Sequence, residues 1–252
     1  AYDCHATAGD LAALIDHCGL DSAVCIGIDF GIFAIYDLAY LHAHKVRAMI
    51  ALENPHYPDR REISPLAEAA EWARNHFVHI DYFREPGPAD ADLDAAPRTF
   101  LTKVFYALSG EYHYLDVWQH PPGTTYIDAL PEAPPLPWRW LSAGDIDLLA
   151  AAYERSGFTG GLNWYRAMDI RWQQRHAWRD RPTTQPFYFI GSEHDVDLEA
   201  WHGEDPLGEI AERHADVRAV EMIAGAGHLI QLEKTEAVNA LLLRFLGEIA
   251  AD

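Results

Sequence analysis

The feature that most restricts the fold of this chain is an alternation of apolar strands with amphipathic helices at both of its ends. Nearly continuous apolar strands linked by helices are typical of a parallel sheet that helices cover. The predicted elements are a helix over 7–18, a strand over 23–28, a helix over 30–44, a strand over 46–52, a strand within 186–195, a helix around 205–215, a strand within 217–228 and a last helix over 236–250. The sequence therefore predicts an α/β protein with a mostly parallel sheet.

The middle of the chain follows a different pattern. Between residues 55 and 182, the helical stretches LAEAAEWARNHFVHIDYF and AGDIDLLAAAYERSG are joined by the proline-rich loop QHPPGTTYIDALPEAPPLPWRWLS. No alternation of strand and helix continues there, so we expect an inserted helical cap. The predicted domains are a core made of 1–54 and 183–252, incomplete at its N-terminus, and a helical cap over 55–182.

Composition narrows the classes of function. The 252 residues carry a formal net charge of −20 and no cluster of Lys and Arg, which argues against nucleic acids and anionic membranes as partners. No apolar stretch has membrane-spanning length. The three cysteines lack the spacing of a metal or redox site, so we expect no metal, no cofactor and a cytoplasmic location. The sequence leaves the oligomeric state open, with a homodimer as one outcome.

Three polar residues follow predicted strands at their carboxyl ends. Asp29 follows the first strand, Asp195 follows FYFIGSEH, and His228 follows VEMIAGAG. Parallel sheets place their binding sites at this edge, so we expect the three side chains to converge. Asp29 also stands in GIDFG, which matches the pattern of a nucleophile elbow with aspartate in place of serine. Such a turn lifts the side chain beside the Phe30 N–H and the positive end of the next helix.

A carboxylate at the elbow favours one kind of chemistry. Aspartate is ionised at neutral pH and needs no base, and its attack on a saturated carbon gives an ester that water can cleave. His228 would activate that water, and Asp195 would orient the imidazole. Other roles stay open at this point: Asp29 as a helix N-cap, His228 as a surface-loop histidine, and Asp197 or Glu193 as the acid in place of Asp195.

From about Asp10 to its C-terminus, the chain resembles the epoxide hydrolases of the α/β-hydrolase fold. The resemblance lies in GIDFG, YFREPGPADADLD, SGFTGGLNWYR, GSEHDVD and GAGHLIQLEKTEAVN. It implies two cap tyrosines that donate hydrogen bonds and a proton to the epoxide oxygen. Tyr165 matches one of them, whereas His79 occupies the position of the other. His79 could donate as an imidazolium, in which case alkylation of the nucleophile would fall as pH rises through about 6.5, and Tyr82 could replace the missing tyrosine.

The resemblance also implies a substrate. The expected function is conversion of an apolar or aromatic epoxide to a vicinal diol, through an ester on Asp29 that His228-activated water hydrolyses. Phe30, Tyr82 and Trp164 are expected to contact this small-molecule epoxide. Two alternatives stay open: a haloalkane-dehalogenase-like hydrolase with the same aspartate nucleophile, and a non-catalytic relative that binds a small molecule.

One part of the family pattern has no counterpart in the sequence. Complete members carry several strands and an H-G-x-P loop before the elbow, and no H-G-x-P occurs here. Without those strands, the strand that ends at Ile28 would expose an apolar edge, which is unfavourable. Three explanations are a piece of a longer chain, a front half supplied by another chain, and a decayed enzyme, and we favour the first.

Overall fold

A computed structural model describes residues 2–57, 62–202 and 205–251 of the chain. Within these ranges four parallel strands form one sheet in the order β1-β2-β3-β4, with β1 Ala23–Ile28, β2 Val46–Leu52, β3 Thr183–Ser192 and β4 His214–Ile223. The ends of the strands are aligned, because Ile28 pairs with Leu52 and Leu52 pairs with Ile190. The predicted parallel sheet is confirmed, and β1 and β2 have the predicted bounds.

Helices surround this sheet and fill the long connection between β2 and β3. They are α1 Cys4–His17, α2 Phe30–Leu41, α3 Pro65–Trp72, α4 His79–Arg84, α5 Pro88–Ala95, α6 Pro97–Ala107, α7 Tyr126–Ala129, α8 Ala143–Ser156, α9 Thr159–Arg166, α10 Met168–Arg175, α11 Val196–Ala200, α12 Ile210–Arg213, α13 Ile230–Glu233 and α14 Thr235–Ala251. Two short 3₁₀ helices span Ala43–Lys45 and Tyr114–Gln119. Within the described ranges, no helix combines the length and the apolar character needed to cross a membrane.

Different helices cover the two faces of the sheet, because side chains alternate along each strand. Met49 and Phe187 belong to a buried cluster with α1 and α2, in which Leu38 also lies. On the other face, Tyr188 packs in a second cluster with Phe245 of α14. The core therefore lies on both sides of β2 and β3, and the carboxyl ends of the strands are left to carry polar residues.

β1 and β4 form the edges of the described sheet. Ile26 on β1 is 42% exposed, and Met222 on β4 is 45% exposed. Within the described residues, the elbow strand is therefore an edge strand that exposes part of an apolar side chain.

The described residues between β2 and β3 contain helices and no strand. They build their own buried cluster, which includes Leu93, Phe100, Ile146 and Leu162. This helical layer lies over the carboxyl ends of the strands, where it forms cavity walls together with Asp29. The bounds that the sequence predicts for the core and the cap stay a prediction.

Strands β3 and β4 begin three residues before their predicted ranges, and α2 ends three residues early. Two predicted helices differ more strongly from the observed ones. The helix predicted around 205–215 is reduced to α12, because Oδ1 of Asp205 accepts a hydrogen bond from the Gly208 N–H and closes a turn. The stretch over 66–83 is divided into α3 and α4. The chain turns after Trp72, and the Phe77 N–H donates to the His120 carbonyl at 2.7 Å instead of continuing the helix.

Candidate active site

Asp29 occupies the turn between β1 and α2 with backbone angles φ 53° and ψ −130°. A positive φ is uncommon for a residue other than glycine, and such strain persists only where the surrounding structure holds it. The Asp29 carboxylate makes no capping hydrogen bond to α2 and lines a cavity instead. These features argue against a role as a helix cap and leave the carboxylate available to a ligand.

The first glycine of GIDFG lets α2 approach β1 closely. A Cβ at Gly27 would lie 2.6 Å from the Ile32 nitrogen and 2.8 Å from the Gly31 carbonyl carbon, which are both backbone atoms. A Cβ at Gly31 would meet no described atom within 4 Å outside its own helix backbone. Packing of the described residues therefore requires the first glycine of the motif and not the second.

His228 connects two carboxylates through its two ring nitrogens. Nε2 lies 3.2 Å from Oδ2 of Asp29, and Nδ1 lies 2.6 Å from Oδ2 of Asp195. Asp195 begins α11, and its Oδ1 accepts from the Leu198 N–H at 2.7 Å. Both Asp195 oxygens are engaged, so the carboxylate is held in place and the imidazole is oriented with Nε2 toward Asp29.

The two other acidic candidates do not bond to the imidazole of His228. Glu193 is exposed and accepts from a backbone N–H in the loop after β4 at 3.0 Å. Asp197 accepts from Nδ2 of Asn54 at 2.8 Å. Of the three acids that follow β3, Asp195 is therefore the one that pairs with the histidine.

The charges of the neighbouring acids control the protonation of His228. Burial alone would lower the pKa of its imidazole, but the charge of Asp195, the hydrogen bonds to Asp195 and Asp29, and the charge of Asp197 hold that pKa well above its usual value. The imidazole is consequently protonated at neutral pH while these carboxylates are charged.

The loop that carries His228 is fixed against the helical layer. The His228 N–H donates to the Leu108 carbonyl at 2.9 Å. A Cβ at Gly227 would lie 2.5 Å from the same carbonyl oxygen. Glu233 accepts from the Gly227 N–H at 3.0 Å and from the Gly110 N–H at 2.9 Å. The Glu233 carboxylate thus connects the loop that carries His228 to the loop that follows α6.

Asp197 brings a further carboxylate to the site, which the sequence suggested only as a substitute acid. One of its oxygens lies within 4.8 Å of an Asp29 oxygen and of a His228 ring nitrogen. Burial raises the pKa of Asp197 to about 7, the charge of His228 opposes this rise, and the charges of Asp195 and Asp29 add to it. Burial and the neighbouring acids therefore favour the protonated form of Asp197 more than they would for an exposed carboxyl.

Glu53 is a buried carboxyl behind the site that sequence reasoning missed. It follows β2 with φ 67°, and its Oε2 accepts from the Ser192 N–H at 2.9 Å. Burial, followed by the charge of Asp195, raises the pKa of Glu53 well above its usual value. Its position after a strand at the functional edge of the sheet was the signal that could have identified it.

Tyr165 and His79 line the same cavities as Asp29. Burial, and then the charge of Asp29, raises the pKa of Tyr165 well above its usual value, so the phenol stays protonated. Nδ1 of His79 accepts a hydrogen bond from Nε1 of Trp118 at 3.3 Å. An indole N–H can only donate, so the neutral His79 ring carries its hydrogen on Nε2.

The surroundings of His79 bear on the imidazolium role that the sequence left open. Burial lowers the pKa of His79 to about 4, which favours a neutral ring at pH 7 over the imidazolium. The neutral ring still offers one N–H, because Trp118 leaves the Nε2 hydrogen in place. Trp118 could not be found from the sequence, since it lies far from His79 along the chain.

Two of the three residues predicted to bind substrate line the larger of the two cavities that Asp29 borders. They are Phe30, which packs edge-to-face on Tyr165 with ring centroids 4.9 Å apart, and Trp164, whose ring centroid lies 5.5 Å from that of Phe30. Tyr82 is not among the lining residues, because its hydroxyl donates to Oδ2 of Asp92 on α5. The structure therefore does not bring Tyr82 to the site as a replacement for the second tyrosine.

Two cavities share Asp29 in their walls. The larger has a volume of about 300 Å³ and the smaller of about 100 Å³. The walls of the larger cavity are mostly apolar and aromatic, and they include Phe83, Leu93, Phe100, Leu101, Val104, Phe105, Phe158, Leu162 and Trp201. Such walls suit a small apolar ligand whose polar part reaches the acids and the histidine.

One group of side chains among the described residues has the spacing of a metal site. Asp29, Asp197 and His228 each offer a ligand atom, and these atoms lie within 4.8 Å of one another. A metal ion needs a neutral imidazole, whereas the pKa of His228 is raised well above its usual value. A metal ion bound here would therefore have to displace that proton from His228.

Known proteins identify the family. No family model matches the chain. Over 98% of its length, the chain is 34% identical to epoxide hydrolase A of Mycobacterium tuberculosis, of which it covers 75%. The chain belongs to the epoxide hydrolase family. The resemblance that the motifs indicate is confirmed.

Solved structures of this epoxide hydrolase family have the same fold. An epoxide hydrolase from an endophytic Streptomyces matches with a TM-score of 0.92 and 31% identity, over 100% of this chain and 76% of that one. Epoxide hydrolase A from Mycobacterium thermoresistibile matches with a TM-score of 0.87 and 35% identity, over 98% of this chain and 76% of that one. The family member described here has the α/β-hydrolase fold.

Proposed function

We propose that this epoxide hydrolase converts an apolar or aromatic epoxide to a vicinal diol through an ester on Asp29. The observation that carries the proposal is the series Asp29, His228 and Asp195, with contacts of 3.2 Å and 2.6 Å, in a cavity that Tyr165 and His79 also line. Two-step hydrolysis of an epoxide needs a nucleophile, a base for water and a donor for the ring oxygen, and these residues can supply all three.

In the first step, the Asp29 carboxylate attacks a ring carbon of the epoxide. A carbon–oxygen bond of the ring breaks, an ester bond forms, and the ring oxygen takes up negative charge and then a proton. Tyr165 donates that proton, and the Nε2–H of His79 donates a second hydrogen bond. The raised pKa of Tyr165 and the lowered pKa of His79 support these roles, because both groups then keep their hydrogens at pH 7.

In the second step, water attacks the carbonyl carbon of the Asp29 ester. His228 takes a proton from the water through Nε2 while Asp195 stabilises the resulting cation. Formation of the ester removes the negative charge of Asp29, which is one of the groups that keep His228 protonated. Alkylation thus favours the neutral imidazole at the stage when a base is needed.

The two donors favour an epoxide over a haloalkane as the substrate. Opening of an epoxide produces an alkoxide on the ester, and this alkoxide needs a hydrogen-bond donor and a proton. A displaced halide needs no proton. The mostly apolar wall of the 300 Å³ cavity supports an apolar or aromatic substrate.

The test follows the ester on the His228→Gln variant with styrene oxide as the probe. Carboxylate attack needs no base, so Asp29 should be alkylated, but hydrolysis should slow by about 10²–10⁴-fold. Mass spectrometry should find one substrate mass on the peptide that contains Asp29. The exposed His113→Gln variant serves as a control and should turn over without an adduct.

A second measurement does not depend on any variant. In one turnover of the unaltered enzyme in heavy-oxygen water, the label should enter the Asp29 carboxylate and not the diol. Label in the diol of the first turnover, or a His228→Gln variant that forms no adduct, would show that water adds directly to the epoxide.

Three further assignments belong to the proposal. We place the core in 1–54 and 183–252 and the helical cap in 55–182, consistent with the helical composition of the described residues between β2 and β3. We place the enzyme in the cytoplasm, and its three free cysteines accord with a reducing compartment. A homodimer stays a prediction.

A further inference from the structure

Asp197 is an acid at the reacting centre to which the two-step mechanism gives no task. It lines both cavities together with Asp29. Its Oδ2 is held by Nδ2 of Asn54, and Asn54 is fixed in turn, because its Oδ1 lies 2.9 Å from Nε2 of His202 and its carbonyl accepts from the Tyr36 hydroxyl at 2.9 Å. A carboxylate that is held by a fixed amide in this way is preorganised to bind a ligand.

Asp29, Asp197 and His228 line one cavity, and their polar atoms are close enough together to share one small ligand. Polar atoms of Asp29, Asp197 and His228 all lie within 4.8 Å of one another. For any triangle with sides no longer than this, a point exists that is at most about 2.8 Å from all three corners, which is a normal hydrogen-bond distance for water. A single water oxygen can therefore contact all three side chains.

We propose that Asp197 orients the water molecule that hydrolyses the Asp29 ester, with His228 as the base. This inference rests on the proposed function, because it assigns a role within the second step of that reaction. One hydrogen of the water is donated to the Asp197 carboxylate and stays on the water oxygen. The other is transferred as a proton to Nε2 of His228. The oxygen lone pair then faces the ester carbon.

The atoms balance through the rest of the step. The water oxygen forms a bond to the carbonyl carbon of Asp29, and the bond from that carbon to the diol oxygen breaks. The proton that His228 holds passes to the departing diol oxygen. Asp29 is released as a carboxylic acid that carries the second hydrogen of the water. This proton returns to Tyr165, which lost one in the first step. Asp29 thereby regains a carboxylate that contains the oxygen of the water, and Asp197 ends the cycle unchanged.

The charges around Asp197 act on its ionisation in opposite directions. The titratable groups around Asp197 are Asp29, Asp195, His228, Tyr114 and Tyr165. The charge of Asp29 is one cause of the raised pKa of Asp197, and the ester abolishes that charge. The positive charge of His228 lowers that pKa and is lost when the ester favours the neutral imidazole, so the role of Asp197 in orienting water rests on its position beside Asp29 and His228.

The test separates the two chemical steps in the Asp197→Asn variant. Asparagine keeps the size of the side chain and an oxygen for Asn54, but it cannot carry a negative charge. Stopped-flow and quench experiments with styrene oxide should give an alkylation rate within about twofold of the parent. Hydrolysis of the ester should slow by about 10- to 100-fold, the loss expected from one charge-assisted hydrogen bond. Glu199→Gln on α11, which is exposed, is the matched control and should leave both steps unchanged.

Each outcome bears on a different claim. Hydrolysis at the parental rate in Asp197→Asn, or a loss shared equally by both steps, would overturn the role in orienting water. If His228→Gln still accumulates the ester in that case, the proposed function stands and this inference alone fails. If neither variant forms an ester while the parent turns over, the covalent mechanism itself fails.

Discussion

At the scale of single residues, Asp29 and Glu53 share an unusual conformation. They are the non-glycine residues with positive φ among the described parts of the chain, at 53° and 67°, and they follow neighbouring strands. Such conformations are unfavourable and persist where the surroundings hold them. At the first, α2 approaches β1 closely at Gly27. At the second, the Glu53 N–H donates to the Ile190 carbonyl at 3.0 Å and its side chain accepts from the Ser192 N–H.

From the neutral state of His79 we predict how the rate of Asp29 alkylation depends on pH. We expect His79→Phe to slow alkylation of Asp29 by about tenfold, with a ratio of parental to variant rates that is constant from pH 5.5 to 8. The pKa of His79 is about 4, so the ring does not titrate in this range, and it loses a donor only through the substitution. Rapid quench at several pH values measures the ratio.

Tyr165→Phe provides the comparison for that experiment. Loss of the proton donor should slow alkylation by about 100-fold, within the usual range for a general acid. A parental-to-His79→Phe ratio that rises steeply as pH falls below about 6.5 would restore the imidazolium interpretation.

At the scale of elements, the turn between β1 and α2 depends on one glycine of its motif. Gly27→Ala should prevent normal folding or abolish alkylation, because its Cβ would lie 2.6 Å from a backbone nitrogen. Gly31→Ala should be tolerated and change the free energy of unfolding by no more than about 1 kcal/mol, since alanine favours the helix. Thermal unfolding and single-turnover alkylation measure both variants. Equal damage from the two substitutions would contradict this difference.

The sequence predicts the elements to different degrees, for physical reasons. β1 and β2 have the predicted bounds because their apolar runs end at the charged or polar residues that follow them. Positions 205–215 contain helix-forming residues, yet the side-chain hydrogen bond of Asp205 closes a turn that no periodicity reveals. The acid–base set at the strand ends could be inferred, because parallel strands bring their carboxyl ends together. The contacts of Asp197 with Asn54 and of His79 with Trp118 join distant segments, so only the folded chain defines them.

At the scale of the whole molecule, a buried ion cluster connects the sheet layer to the helices above it. Asp37 on α2 is fully buried and lies 2.6 Å from Nη2 of Arg171 and 3.1 Å from Nε of Arg175, which are both on α10. The Tyr57 hydroxyl also donates to Asp37. Because all these groups lie away from water, the cluster holds α2, and with it the elbow, against the helical layer.

Removal of the Asp37 charge should therefore destabilise the molecule strongly. Asp37→Asn leaves two buried guanidinium groups without this carboxylate, a change that typically costs about 3–5 kcal/mol. For a chain of this size, the midpoint of thermal unfolding should fall by about 10 °C. Asp147→Asn is the control, since it removes an exposed ion pair with Arg98 that is worth at most about 1 kcal/mol. Similar small shifts for both variants would show that the cluster does not hold the layers together.

The strand order affects how readily the helical layer between β2 and β3 can change in length. β1 and β2 are joined by about 17 residues, whereas about 130 residues separate β2 from β3, although both pairs are neighbours in the sheet. The entropy of closing a loop grows with the logarithm of its length, at about 0.6 kcal/mol for each doubling. The long insertion therefore adds only about 2 kcal/mol to the closure of the β2–β3 pair. Helices above the strand ends can therefore be lengthened or exchanged at a small cost in free energy. Such changes alter the shape of the pocket and leave the reacting groups at the strand ends in place.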